Sequence, residues 1–191
     1  QFNESEAFAG GSLAVANHLA GFCNEVTLVT YLGETDSHES FIRETLRPNV
    51  KPVFVTKKDS PTIQKRRYVD QYTRTKLLEL YTMNDRPLCE SAEDEVISAL
   101  DTELKTHDLV VVADYGHGMM TANVIDRLCS YPGFLAVNTQ SNAGNRGFNP
   151  ISKYARADYV CLAHHEIEME TRMRDAPLEN LLLEVADRID G

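Results

Sequence analysis

No stretch of this sequence approaches the ~20 consecutive apolar residues that a bilayer-spanning helix needs, so nothing in it reads as a transmembrane span. The chain starts at Gln1 without Met, and it lacks the basic-then-apolar opening of a signal peptide. Cysteine is sparse. Cys23, Cys89, Cys129 and Cys161 lie far apart with no C-x-x-C spacing, and three of them sit in or beside apolar runs. They are expected to be reduced, partly buried thiols of a cytoplasmic protein. Basic residues are also in short supply: 19 Lys plus Arg against 29 Asp plus Glu give a net charge of -10. That balance argues against a general affinity for nucleic acid or anionic membrane and leaves small or neutral partners as the expectation. There is no internal repeat and no low-complexity tract.

What is present is globular composition. Of 191 residues, 42% are hydrophobic and 25% charged, with ten Gly, enough for one domain with a sizeable core. The chain stops at Asp190-Gly191 straight after a helical pattern, so both ends are expected to be cut from something longer.

After the polar opening from Gln1 to Glu6, Gly10-Gly11-Ser12 precede Leu13, Ala16, Leu19 and Ala20 at helical spacing, with Ser12 as the expected N-cap. A β-branched run from Glu25 to Leu32, ended by Gly33, reads as a strand, and Phe41, Ile42 and Leu46 mark a helix stopping near Pro48. From Val50 to Met83 the pattern differs. Three extended runs (Val53 to Thr56, Thr62 to Asp70, Lys76 to Thr82) predict a small antiparallel sheet with one wet face. Helix and strand then alternate again: a helix from Ser91 to Lys105, a strand from Asp108 to Ala113, a helix from Ala122 to Ser130 and a strand from Phe134 to Val137. A polar loop from Asn138 to Asn149 and a short helix lead to a strand from Asp158 to Leu162, and helices from His164 and from Leu178 close the chain. Such alternation predicts an α/β fold with a mostly parallel sheet covered by helices. The expected division is a body of 1–49 and 84–191, with 50–83 inserted as a β lid.

In open parallel sheets ligands bind beyond the carboxyl ends of the strands. Three such ends carry polar groups: Asp114-Tyr-Gly-His-Gly118, Asn138-Thr-Gln140 and His164-His165-Glu166. Asp114 ends the apolar run Leu-Val-Val-Val-Ala, where solvent and core are expected to meet, and Gly116 and Gly118 permit tight turns beside it. Its competing role is to cap the following turn. The run His164-His165-Glu166-x-Glu168 is not H-E-x-x-H, and adjacent histidines on a helix point about 100° apart, which disfavours zinc. A lone carboxylate, Glu166, suits a hydrated Mg²⁺, which needs few protein ligands. On the interrupting sheet, alternation sends Lys65 and Arg67 to one face, where they could meet an anionic group or simply form a solvated edge. Gly10-Gly11 ahead of a helix lets a ligand approach the backbone closely.

The order of these pieces resembles the ribokinase-like (PfkB) carbohydrate kinases. The resemblance is carried by Gly10-Gly11-Ser-Leu-Ala-Val-Ala-Asn-His-Leu-Ala20, by Tyr31-Leu-Gly-Glu-Thr-Asp36, by Pro61-Thr-Ile-Gln-Lys-Arg-Arg67 and by Ala113-Asp-Tyr-Gly-His-Gly118. It is nearest to the kinase domain of bifunctional heptose-phosphate kinase/nucleotidyltransferases. The resemblance implies a ribokinase-like three-layer α/β/α fold with a β-sheet lid, and ATP- and Mg²⁺-dependent phosphorylation of a sugar or sugar phosphate. It implies a homodimer paired through the lid. By position, Gly10, Gly11, Lys65, Arg67 and Asn138 would contact substrate, Asp114 would border the transfer site, and Glu166 would match the acid of an Asn-x-x-Glu magnesium motif. The sequence departs from the family at Ala163, where that motif has Asn, at Ala14, at His117, where the nearest relatives have Lys, and at Asn138 and Gln140. It contains no Gly-x-Gly-Asp, the segment that supplies the family's catalytic base. That segment is expected beyond Gly191, and the fold's first strand before Gln1, so no catalytic base is expected within this chain. The alternative is a non-catalytic sugar-phosphate or nucleotide sensing domain of kinase ancestry, fused to a nucleotidyltransferase.

Overall fold

Strands and helices alternate along the computed structural model, which describes residues 4–189; Gln1–Asn3 and the Asp190–Gly191 end lie outside them. The helices are α1 (Ser12–Leu19), α2 (Glu39–Thr45), α3 (Glu90–Glu103), α4 (Ala122–Cys129), α5 (His164–Thr171) and α6 (Leu178–Ala186). The strands are β1 (Val26–Thr35), β2 (Val50–Pro61), β3 (Gln64–Val69), β4 (Lys76–Thr82), β5 (Leu109–Asp114), β6 (Phe134–Thr139) and β7 (Tyr159–Val160). The fold is α/β, as the alternation predicts. Its parallel strands are hydrogen-bonded in two groups rather than one: β1 with β2, and β5-β6-β7 in that order.

The expected antiparallel sheet from Val50 to Met83 is corrected. Only β3 and β4 form an antiparallel hairpin, whereas β2 runs parallel to β1 in a register that starts at Val26↔Val50 and holds through Gly33↔Lys57. The physical reason lies in the run Val53-Phe54-Val55. A parallel strand is covered on both faces and so reads as continuous apolar sequence, whereas a half-wet antiparallel strand alternates. With α2 between them, β1 and β2 make a strand–helix–strand crossover, the connection parallel pairing requires. Strand β1 also runs on through Gly33 instead of ending there, because a side chain at that position has no room. A Cβ would lie 2.1 Å from the carbonyl carbon of Pro61 and 2.2 Å from the nitrogen of Thr62.

The main core joins the helices to the three-stranded sheet. Val96 and Leu100 of α3, Val124 and Leu128 of α4, Val112, Leu135 and Val137 of the strands, and Leu181 of α6 are all buried in one cluster. Helix α3 also ties in the other parallel pair, since Glu103 accepts a hydrogen bond from Thr27 Oγ1 on β1 and pairs with Lys51 on β2 at 2.8 Å. A smaller cluster of Ala16, Ala20, Leu28 and Val50 seats α1. All four cysteines are free, but only Cys129 is half-buried; Cys23, Cys89 and Cys161 are exposed, against expectation. They flank elements instead of lying inside them. Among the described residues no helix is long and apolar enough to cross a membrane.

Candidate functional site

Asp114 is the last residue of β5 and is 2% exposed. The expectation that it meets solvent is therefore corrected: its carboxylate lies inside the protein with both oxygens bound. Oδ2 accepts from the Tyr154 hydroxyl at 2.8 Å and faces Lys153 Nζ at 2.6 Å; Oδ1 accepts from the Gly116 N–H at 2.9 Å and from Asn149 Nδ2 at 3.4 Å. Burial and the neighbouring carboxylate push the Tyr154 phenol well above its ordinary value. Asn149 also reaches the Asp114 carbonyl, and Lys153 donates to Asn149 Oδ1 at 2.6 Å. Asp114 thus ties the 140–150 loop and the short 3-10 turn at Ile151–Lys153 to the end of β5, its turn-capping role extended over a larger network. Tyr154, Lys153 and Asn149 were not singled out from the sequence, since nothing local signals a partner 35 to 40 residues away.

The loop after Asp114 turns on Gly116 and Gly118, with φ of 68° and 84°, a region that favours glycine. Its two rings, Tyr115 and His117, lie parallel with centroids 6.5 Å apart. Tyr115 faces the start of α1: a Cβ on Gly11 would stand 3.7 Å from its ring. Gly11, at φ 56°, occupies the N-cap position expected for Ser12, which begins the helix itself; Gly10 borders open space. His117 is buried, and its Nδ1 lies 2.9 Å from Asp85 Oδ1. Below it, Lys57 is 4% exposed, with its ammonium donating to the carbonyls of Asn84 and Arg86, both at 2.6 Å, and standing over the Tyr31 ring. The Tyr31 hydroxyl donates to the His117 carbonyl at 3.0 Å. Burial lowers Lys57 from its ordinary value, and burial holds the Tyr31 phenol up, aided by Asp85. The sequence did carry a signal for Lys57, which shares parity with the buried Val55 on β2 and so had to point inward.

The hairpin brings its own cations. Lys65 pairs with Tyr81 across the strands, and its ammonium sits 5.1 Å from that ring's centroid. Its value is lowered by burial and by Arg67, with Glu79 and Asp85 opposing. Arg67 is exposed, and its Nε lies 2.7 Å from Glu79 Oε1, a close ion pair without hydrogen-bond alignment. Lys65 and Arg67 therefore share a face, as alternation requires, but only Lys65 turns half-buried toward the body.

At the remaining strand ends, Asn138 donates through Nδ2 to the Cys161 carbonyl at 2.7 Å, bridging β6 to the residue after β7. Glu166 in the first turn of α5 accepts from the Ser141 N–H at 2.6 Å and from the Ala163 N–H at 2.8 Å. It lines a cavity of about 30 Å³ with Thr139, Ser141, Asn149 and Glu170. No group of three or more His, Cys, Asp or Glu among the described residues could hold a metal. Both Glu166 oxygens are engaged by backbone N–H groups and the cavity has room for about one water, so this carboxylate would have to give up one of those bonds to hold a magnesium. His164 makes only a loose pair with Glu168, at 3.7 Å.

No family model matches the chain. In sequence it is similar to the bifunctional protein HldE of Rhodopseudomonas palustris (strain TIE-1), 28% identical over 123 residues, 63% of this chain and 25% of that protein. The HldE of Bradyrhizobium diazoefficiens is 27% identical over 122 residues, with the same coverage. The chain thus spans about a quarter of the length of the curated relatives it matches. In structure it is similar to a ribokinase from Giardia lamblia, with a TM-score of 0.63 and 14% identity over 99% of this chain and 65% of that one. It is also similar to a pyrophosphate-dependent kinase in the ribokinase family, complexed with a pyrophosphate analog and myo-inositol, with a TM-score of 0.57 and 18% identity over 96% of this chain and 62% of that one. The chain has the ribokinase-like fold, and in sequence it is similar to the bifunctional HldE proteins.

Proposed function

We propose that this chain forms the sugar-acceptor half of a carbohydrate kinase, an enzyme that transfers phosphate from ATP to an alcohol group of a sugar or sugar phosphate. The observation that carries the reading is the apposition of Gly11 with the Tyr115 ring, flanked by His117 and Lys65. A side-chain-free helix start facing a ring and polar groups is suited to a polyol, which offers hydroxyls at its edges and C–H groups on its faces. Gly10 and Gly11 would line the sugar, Lys65 would reach an anionic group of it, and Arg67 would join on hairpin movement that frees it from Glu79. Asn138 would lie at the substrate rim. Asp114 would border the transfer site as the residue that fixes the rim loop, not as the base. Glu166 would hold hydrated Mg²⁺, which neutralises developing charge in phosphoryl transfer. The setting would be cytoplasmic, and the assembly a homodimer paired through the β3–β4 hairpin. The division into a body and an inserted lid is retained in narrower form, with the lid confined to the hairpin.

With no Gly-x-Gly-Asp in its sequence, the 191-residue chain by itself is expected to give no sugar-dependent ADP release, while the full-length protein gives it. A coupled assay with ribose, myo-inositol, hexoses, heptoses and their phosphates tests this, with pyrophosphate as the competing donor. In the active form Glu166→Gln slows turnover and is partly rescued by raised magnesium. A full-length protein that binds these sugars and never turns over ATP or pyrophosphate would favour the sensing domain, the reading supported by Ala163, Asn138 and Gln140 at the rim.

A further inference from the structure

His117 carries a buried ring nitrogen that the protein leaves without a partner. Its Nδ1 lies 2.9 Å from Asp85 Oδ1, and a carboxylate can only accept, so the ring proton resides on Nδ1. The other nitrogen, Nε2, then presents a lone pair. It is buried and has no hydrogen-bond partner. The side chain is 8% exposed, so water does not satisfy it freely. A buried acceptor left empty costs about 1 to 3 kcal/mol, and native proteins rarely retain one without a use.

The surroundings keep that nitrogen an acceptor. From the hairpin, Lys65 opposes a positive ring; from β2, Lys57 does the same; Asp85, after β4, favours it; burial, the largest influence, opposes it, and the net direction is downward. On the ring's own loop, Tyr115 lies parallel to it and contributes no charge. The backbone holding the ring is closely packed. Gly118 cannot accept a side chain, because a Cβ there would lie 2.2 Å from the Arg86 carbonyl oxygen, and the His117 carbonyl is fixed by Tyr31.

We propose that His117 Nε2 is a specificity-determining acceptor that receives a hydrogen bond from a free hydroxyl of the bound sugar, with Asp85 as the residue that positions the ring. This rests on the carbohydrate-kinase reading and sharpens it. The part of the substrate that meets His117 is an alcohol, and not a phosphate, since a phosphate dianion has no proton to donate to a lone pair. The anionic end of a sugar phosphate, where there is one, lies toward Lys65.

The test uses the full-length protein labelled with ¹⁵N-histidine, titrated with ribose, myo-inositol, heptose 7-phosphate and the deoxy analogues of whichever binds. The His117 Nε2 resonance is expected to begin in the unprotonated, pyridine-like range and to move upfield when the sugar donates to it. One deoxy analogue is expected to bind about 3- to 10-fold more weakly and to leave that resonance in place. His117→Asn keeps a donor for Asp85 and removes Nε2. It is expected to weaken the parent sugar by a similar factor, to leave the affinity of that deoxy analogue unchanged, and to keep the wild-type melting temperature. His117→Gln, which restores a polar atom near Nε2, recovers part of the loss. Sugar that binds while Nε2 stays unmoved, or a protonated Nε2 at neutral pH, overturns this proposal and leaves the kinase reading standing. Failure of every sugar to bind overturns both.

Discussion

Asp114 shows how one side chain can stand out in the sequence and still be given the wrong surroundings. An acid at the end of Leu-Val-Val-Val-Ala is conspicuous in sequence, and its partners Tyr154, Lys153 and Asn149 become visible only in the fold. Replacing it with Asn keeps the shape and breaks the chemistry. The new amide cannot both accept from the Gly116 N–H and face the Lys153 ammonium and the Tyr154 hydroxyl with acceptors, so at least one buried donor loses its partner. Asp114→Asn is expected to cost about 1.5 to 3 kcal/mol in urea unfolding, toward the lower end because Lys153 is partly solvated. Any loss of catalysis should accompany that loss of stability. An Asp114→Asn protein as stable as the parent and yet slow in turnover would mean that the carboxylate acts on substrate directly.

Among the elements, legibility followed the kind of burial each one has. Helices α3 and α4, with one apolar stripe each, and the strand pair β5 and β6 fell close to where period and run length put them. Strand β2 shows no alternation, because Val53-Phe54-Val55 is covered on both sides, and so its sequence does not by itself announce a parallel partner. The site divided in the same way: glycines and strand-end acids declare themselves locally, Lys57 does so through its parity with Val55, and Asp85 and Tyr154 do not. Gly33 belongs to this scale too. Glycine interrupts many strands and so suggests a terminator, yet Gly33 lies within β1 at the point where the β2 crossing is tightest, and the register to β2 shifts just beyond it. Gly33→Ala places a methyl against the backbone of Pro61 and Thr62, which cannot step aside as a flexible side chain would. The expected outcome is a loss of at least about 1 to 3 kcal/mol, with β1 and β2 exchanging amide hydrogens faster than β5 and β6. A mutant with unchanged melting temperature and uniform exchange would show that the close approach is not a constraint in solution.

At the scale of the whole molecule the open matter is the outer face of the hairpin. Of the apolar residues between 50 and 83, Val55 is buried, Ile63 packs against the main core and Val53 is half-buried, so none of these three calls for a partner. What remains is a cross-strand patch. Leu78 lies opposite Tyr68 and Leu80 opposite Arg66, with Tyr68, Leu78 and Leu80 exposed at 38%, 52% and 48%. Fully burying such side chains is worth roughly 1.5 to 3 kcal/mol each, and about half of that is still available here. Counted on two protomers, it is comparable with the low end of the ~4 to 15 kcal/mol of freedom lost on association. A two-fold pairing of hairpins would therefore be reversible instead of permanent. Light scattering across the micromolar range is expected to show a concentration-dependent dimer of the full-length protein. Leu78→Asp and Leu80→Asp should each return it to monomer without altering the fold read by circular dichroism. Monomer throughout that range, or a dimer indifferent to both charges, would mean that the patch is covered by something other than a second copy.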